Sequence, residues 1–292
     1  MIADAELIPC CVCDNMENTE LYGDELNGER PSVDYNFSAH TRKTFRIVKC
    51  SSCNHIYVNP MPNLIDDYTS TEDVVYLASR EQRIQTSRNR VATIARFLPP
   101  GSELLDVGCA AGFFLDVATN EFKVEGLEIS HWAANQASKN HTVHRKPLSK
   151  LEFNERFDVI TMFDVIEHFS NPAEEIAAAQ RALKAGGYLF IHTGDVGSLS
   201  ARILRKKWWH YQGMHLQYFS KKSLDMLLKR FGFEFVEHRL NPVYFSLRSL
   251  AQSLARYPIT RPLQLILLTK LLRSIHVKLA ISGELLVVYR KH

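Results

Sequence analysis

Residues 104–114 read LLDVGCAAGFF, and they restrict the fold more than any other part of the 292-residue chain. An apolar pair, Leu104 and Leu105, leads to a carboxylate at Asp106. Gly108 and Gly112 then bracket a turn before apolar residues resume at Phe113. The pattern predicts a buried parallel strand, a tight glycine turn and a helix. Glycine lets the backbone turn sharply and lets a ligand approach the main chain with no Cβ in the way. Twenty-two residues beyond Asp106, a second apolar segment (Val124, Gly126, Leu127) ends in Glu128. Two strands that each end in an acid predict a nucleoside pocket at the carboxyl edge of a doubly wound sheet.

The nucleoside is narrowed by what the turn lacks. A dinucleotide fingerprint needs G-x-G-x-x-G, and Gly108-Cys109-Ala110-Ala111-Gly112 has the wrong spacing. No G-x-x-x-x-G-K-[ST] loop is present either. Asp106 beside the turn repels a phosphate and suits a cation. S-adenosylmethionine has no phosphate, and it carries a sulfonium and an α-ammonium group. The stretch resembles the first motif of class I S-adenosylmethionine-dependent methyltransferases, usually D-x-G-x-G-x-G, with Ala110 where that family often has glycine. Alanine is acceptable there if its φ is negative.

Later segments follow the family's order. Residues 157–169 (FDVITMFDVIEHF) resemble its fourth strand and the turn after it, and 183–193 (LKAGGYLFIHT) its fifth strand. Residues 231–237 and 283–290 resemble the closing strands, the last of them antiparallel. The resemblance covers roughly 76–292. It implies an α/β fold with a doubly wound, seven-stranded, Rossmann-like sheet. It also implies a cofactor site in which Asp106 and Gly108 line the methionine part, with Cys109, Ala110 and Gly112 completing the turn. Glu128, followed by Ile129, would accept from the ribose hydroxyls. Phe163 and Asp164 would approach the methionine or adenine side.

Five of the six cysteines precede residue 54. Cys10-x-x-Cys13 and Cys50-x-x-Cys53 each place two thiolates at one turn, and together they offer the four soft ligands of a structural zinc site. Asp14 and Asn54 follow the pairs, and both residue types tolerate the left-handed backbone conformation. Disulfides or free buried thiols are the alternatives, and a cytoplasmic chain disfavours the former. Cys11 has no evident partner and could replace Cys10, while Cys109 reads as a small packing residue.

Acid–base candidates are fewer. Asp164-x-x-Glu167-His168 resembles the acidic-His motif of some magnesium-dependent relatives, though shaping a turn is the plainer role. His215 and His168 are the catalytic candidates, with His192, His210 and Tyr211 behind them. His215 lies in WWHYQGMHLQYFS (208–220), which resembles the family's substrate-contacting loop. Relatives that methylate sugar carbon read Glu-His there. Met214 holds the Glu position, so oxygen or nitrogen methylation is favoured over carbon.

No secretory signal opens the chain and no apolar run spans a membrane, so a cytoplasmic protein is expected. Charge is uneven: residues 1–75 hold five Lys/Arg against thirteen Asp/Glu, and 201–292 seventeen against four. The acidic N-terminus argues against an RNA methyltransferase, because phosphate contacts need cations. A non-catalytic, cofactor-binding regulatory subunit is the other alternative. The expected organisation is a cysteine-rich module or lid over 1–62, covering helices over 63–102, a core over 103–243, a basic helical insertion over 244–280 and a last strand over 281–292. Leucines at helical spacing among the basic residues of that insertion fit three uses: a peripheral membrane contact, a phosphorylated or lipid-linked small-molecule or saccharide acceptor, or packing on the core or in a homodimer.

Overall fold

The computed structural model describes residues 5–31, 43–239, 242–246, 276–279 and 282–292. It begins with three short strands, β1 (Asn18–Tyr22), β2 (Ile47–Cys50) and β3 (Ile56–Val58). Three helices follow: α1 (Ile65–Ser70), α2 (Val74–Ala78) and α3 (Arg80–Ile94). The Asp73 side chain caps α2 by accepting from the Tyr76 N–H. Helices α2 and α3 meet at Ser79, which ends the one and precedes the other.

Strand and helix then alternate through β4 (Glu103–Val107), α4 (Phe113–Ala118), β5 (Lys123–Leu127), α5 (His131–Ala137), β6 (Thr142–His144), β7 (Phe157–Phe163), α6 (Pro172–Ala182) and β8 (Leu183–Gly194). Beyond them come α7 (Leu199–Leu204), β9 (Gln217–Tyr218), α8 (Lys221–Arg230), β10 (Phe233–Arg239), β11 (Val243–Ser246), β12 (His276–Leu279) and β13 (Glu284–Lys291).

Seven strands form the main sheet in the order β10-β13-β8-β7-β4-β5-β6. Strands β4 to β8 pair in parallel, and β13 runs antiparallel to both β8 and β10, as the closing-strand pattern implies. Leu104, Leu105, Val159, Ile160 and Leu189 are all fully buried, because helices cover both faces of a parallel sheet. The chain runs outward from β4 to β5 and β6 on one side and to β7 and β8 on the other. This reversal opens a crevice at the carboxyl end of β4, directly above the glycine turn.

A second sheet has the order β1-β2-β3-β9. Its fourth strand comes from the far side of the chain, with Ile56 paired to Tyr218 and Tyr57 to Gln217. The cysteine-rich segment therefore shares a sheet with the stretch expected to contact substrate.

Residues 247–275 of the expected helical insertion, with most of its leucines and basic residues, lie outside the described residues. Its described ends correct the helical expectation: β11 and β12 pair antiparallel from Val243↔Leu279 to Ser246↔His276. Valine and aromatic residues at Val243, Tyr244, Phe245 and Val277 favour a pleated ladder over the helix suggested by leucine spacing. No helix among the described residues is long and apolar enough to cross a membrane.

Candidate active site

A cavity of about 910 Å³ lies above the carboxyl end of β4, and both the glycine turn and the histidines of 208–220 line it. The turn holds three positive φ angles, +77° at Gly108, +46° at Ala110 and +85° at Gly112. The condition that would make alanine acceptable at 110, a negative φ, is therefore not met. In this left-handed conformation the Ala110 N–H donates to Glu128 Oε2 at 2.9 Å. Gly108 needs its missing side chain as well as its φ, since a Cβ there would come within 2.8 Å of Val165. Cys109 is buried, and a Cβ on Gly126 would lie 2.5 Å from its sulfur, so the thiol packs onto the neighbouring strand.

Asp106 is 3% exposed and accepts from Thr161 Oγ1 at 2.6 Å. Burial raises its pKa to about 7, against the pull of that hydrogen bond and of Arg90. Glu128 accepts main-chain N–H groups on both oxygens, from Ala110 and, at 2.8 Å, from Ser130. Burial raises its pKa too. Ile129 also lines the cavity. The Arg90 guanidinium lies 4.3 Å above the Phe163 ring and 3.0 Å from Asp164 Oδ2. Asp164 itself has φ +58° and meets His192 Nδ1 at 2.5 Å. Burial opposes ionisation of Asp164, but His192 and Arg90 outweigh it and hold its pKa well below the usual carboxylate range. Asp164 is thus engaged away from Glu167 and His168, which the 164–168 spacing grouped with it.

The opposite end of the cavity is built on a tight turn, Ile166–His168. Glu167 Oε2 accepts from Thr193 Oγ1 at 2.8 Å, and burial lifts its pKa to about 7. His168 Nδ1 lies 2.8 Å from the Tyr68 hydroxyl and 3.0 Å from the Met214 carbonyl. His215 Nδ1 lies 2.7 Å from the His210 carbonyl, which can only accept, so Nδ1 carries the proton and Nε2 the lone pair. The His168 and His215 rings are 4.8 Å apart. Burial lowers His168 to about 4 and His215 well below its usual value, so both imidazoles are neutral. One ligand atom each from Glu167, His168 and His215 falls within 4.8 Å of the others, close enough to share an ion.

Tyr68 and Arg90 also line the cavity, and neither carries a sequence signal. Tyr68 is a lone tyrosine on a short helix, and Arg90 is one of several arginines on a polar one. Glu284 accepts from His210 Nε2 at 3.0 Å and from Trp209 Nε1 at 3.1 Å. Its signal was available, as it is the sole acidic residue after Glu237.

The four paired cysteines converge. Cys10 and Cys53 sulfurs are 3.5 Å apart, as are those of Cys13 and Cys50, and all four lie within 4.8 Å of one another. Thiolates about 2.3 Å from a tetrahedral zinc lie about 3.8 Å from each other, so this donor set fits the ion. Asp14 and Asn54 have φ of +60° and +62°, the left-handed turns expected after each pair. Although burial opposes it, main-chain N–H groups of Cys53 and Ser52 help bring the Cys50 thiol down to about 7. Cys11 stays outside the cluster, its sulfur 3.6 Å from His55 Nε2.

Residues 76–238 match the family model for a methyltransferase domain. The fold is shared by solved S-adenosylmethionine-dependent methyltransferases. One from Archaeoglobus fulgidus has TM-score 0.53 and 16% identity, over 75% of this chain and 100% of that one. Another from Thermotoga maritima has TM-score 0.50 and 20% identity, over 78% and 97%. The chain belongs to the class I S-adenosylmethionine-dependent methyltransferases. Curated relatives of this methyltransferase include the ubiquinone biosynthesis O-methyltransferase of Thiobacillus denitrificans, 30% identical over 103 residues, 32% of this chain and 44% of that protein. The Cereibacter sphaeroides enzyme of the same name is 25% identical over 165 residues, 50% of this chain and 67% of that one. The mitochondrial one of Candida albicans is 32% identical over 105 residues, 31% of this chain and 32% of that one. In the first of these and the last, the matched stretch spans less than half of the relative's length.

Proposed function

We propose that this methyltransferase transfers the methyl group of S-adenosylmethionine to a hydroxyl of a small molecule, with His215 as the base. The reading rests on one observation. A neutral histidine, with Nδ1 locked on the His210 carbonyl, lines the same cavity as the glycine turn. In this reading Asp106 faces the ligand's ammonium, the 108–112 turn receives its methionine part, and Glu128 holds the ribose. The acceptor oxygen attacks the methyl carbon in line as the carbon–sulfur bond breaks. Sulfur keeps the electron pair, and the hydroxyl proton passes to His215 Nε2. Much of the acceleration then comes from holding the two reactants in line. Met214 is buried beside His215 and offers no carboxylate for carbon chemistry. The relatives' printed names, as O-methyltransferases, support oxygen as the acceptor atom.

The test uses methyl-labelled S-adenosylmethionine and a catechol such as 3,4-dihydroxybenzoate. His215→Ala should lower kcat by roughly 10²- to 10⁴-fold, the usual worth of a positioned base, and leave S-adenosylhomocysteine affinity nearly unchanged. Label recovered on carbon, or an unaltered kcat, would overturn the reading.

Cys10, Cys13, Cys50 and Cys53 are proposed to hold a structural zinc, checked by elemental analysis of protein purified without chelator. A second reading of the acceptor end has its own support. His168 and His215 each have Nδ1 against a main-chain carbonyl, as metal-bound histidines commonly do. A divalent ion on their Nε2 atoms and Glu167 would acidify the acceptor hydroxyl. Manganese binding followed by electron paramagnetic resonance, lost in Glu167→Gln, distinguishes this from a metal-free base.

A further inference from the structure

Gln217 sits where three parts of the chain meet, and its amide is in the same buried layer as Tyr57, Phe219 and His55, all four nearly fully buried. Its Nε2 donates to the Phe169 carbonyl, 3.2 Å away, at the end of the turn that carries Glu167 and His168. That carbonyl can only accept, which fixes the orientation of the amide. Oε1 then faces the cysteine-rich segment, where it accepts from His55 Nε2 at 3.0 Å and from the Cys11 thiol at 3.6 Å. Cys11 lies inside the first cysteine pair, and His55 is two residues past Cys53, the end of the second. One side chain therefore touches both cysteine turns and the acceptor-side turn. The main chain runs in parallel: Tyr57 pairs with Gln217, the Leu216 carbonyl accepts from the Val58 N–H, and the Leu216 N–H donates to the Glu167 carbonyl.

Packing alone would be served by methionine or leucine here. A buried amide is costly unless satisfied, and once satisfied it admits one arrangement of its partners. We propose that Gln217 is a positioning residue that ties the two cysteine turns to the turn bearing Glu167 and His168, so that closure of the cysteine site by its metal sets the geometry of the acceptor end. The proposal rests on the zinc and acceptor-end readings above. It makes the cysteine segment a support for the acceptor end rather than only a lid.

The experiment follows the ¹⁵N resonances of the His168 and His215 imidazoles in full-length protein, with and without a zinc chelator. Chelation should shift the His168 signals of the wild type. Gln217→Met keeps length and removes all three amide hydrogen bonds, to Phe169, His55 and Cys11. Its His168 signals should start displaced, and chelation should move them by less than about half the wild-type shift, since coupled sites are non-additive. Affinity for S-adenosylhomocysteine should stay within about twofold of wild type, which certifies the fold of the variant. Gln217→Glu keeps an acceptor for His55 and loses the donor to Phe169. It should displace His168 while leaving the His55 signals in place, and it decides the matter if the methionine variant does not fold. Identical His168 spectra in variant and wild type, or equal chelation shifts in both, would overturn the tie. If elemental analysis finds no zinc, the zinc reading fails by itself. The displacement of His168 in the two variants then still decides whether Gln217 positions the turn.

Discussion

The two ends of the cavity are built by opposite means. At the end proposed for the cofactor, Asp106, the 108–112 turn and Glu128 come from two adjacent parallel strands and the loop between them. Their geometry is main-chain geometry: positive φ angles, and amide N–H groups held by one carboxylate. At the end proposed for the acceptor, Tyr68, Glu167, His192, His215 and Glu284 come from five separate segments and meet only because strands β8, β9 and β13 are in place. One end is a local structure that a sequence can spell. The other is a tertiary cluster of side chains brought together from distant parts of the chain, in which burial raises the pKa of Glu167 and lowers that of His215.

The largest effect that tests this division is the removal of Glu128. Glu128→Ala strips an acceptor from two main-chain N–H groups and, in the proposed reading, from the ribose of the ligand. At roughly 1.5 kcal/mol for each charge-assisted hydrogen bond, S-adenosylhomocysteine affinity should fall by about 100-fold or more. Calorimetry on the same day with His215→Ala should give a change of no more than about twofold, or on the order of 0.4 kcal/mol. Equal losses in the two variants would mean that the ends are not separable.

That asymmetry explains what the sequence made legible. The strand–turn–helix at 104–114 and the second acid at Glu128 follow from periodicity and glycine placement, which act over a few residues, and the antiparallel last strand from the family resemblance. The cysteine turns were readable for the same reason, down to the left-handed Asp14 and Asn54. The pairing of Asp164 with Arg90 and His192 was not, since nothing local predicts that α3 lies over β7. The link from Gln217 to Phe169 and His55 was equally hidden, since 162 residues separate it from His55. At the ends of the insertion, periodicity misled because leucine spacing says nothing about Val243 and His276 meeting across a ladder.

A smaller effect concerns pH. The Asp106 pKa is raised to about 7 in the folded, ligand-free protein, against an ordinary value near 4. Between these values the folded state holds more protons than the unfolded state, so this group lowers stability as pH rises through the window. A ligand ammonium beside Asp106 favours the carboxylate. S-adenosylhomocysteine affinity should therefore fall as pH drops below about 7, by up to tenfold per unit. Asp106→Asn should flatten that profile, measured by calorimetry between about pH 5.5 and about pH 8. A profile unchanged in the variant would move the ammonium away from Asp106 and blur the line between the two ends.

The smallest effect lies in the turn itself, where Ala110 and Gly112 both have positive φ. Alanine in the left-handed region costs roughly 1 kcal/mol. Replacing it with glycine removes that strain and adds a comparable chain entropy to the unfolded state, on the order of 0.4–1 kcal/mol. Ala110→Gly should therefore shift Tm by no more than about 3 °C and leave cofactor affinity nearly unchanged. Gly112→Ala is the contrasting case. Its φ is +85°, and the new Cβ would sit 3.1 Å from Ala137 Cβ and 3.3 Å from both that residue's Cα and His141 Cδ2. It should lower Tm by more than the Ala110 substitution changes it, and weaken S-adenosylhomocysteine binding by displacing the turn. Thermal melts of the two variants with and without ligand separate the effects. If Ala110→Gly alters affinity tenfold while Gly112→Ala is silent, then side chains rather than backbone angles shape the cofactor end, and the contrast with the acceptor end fails at its strongest point.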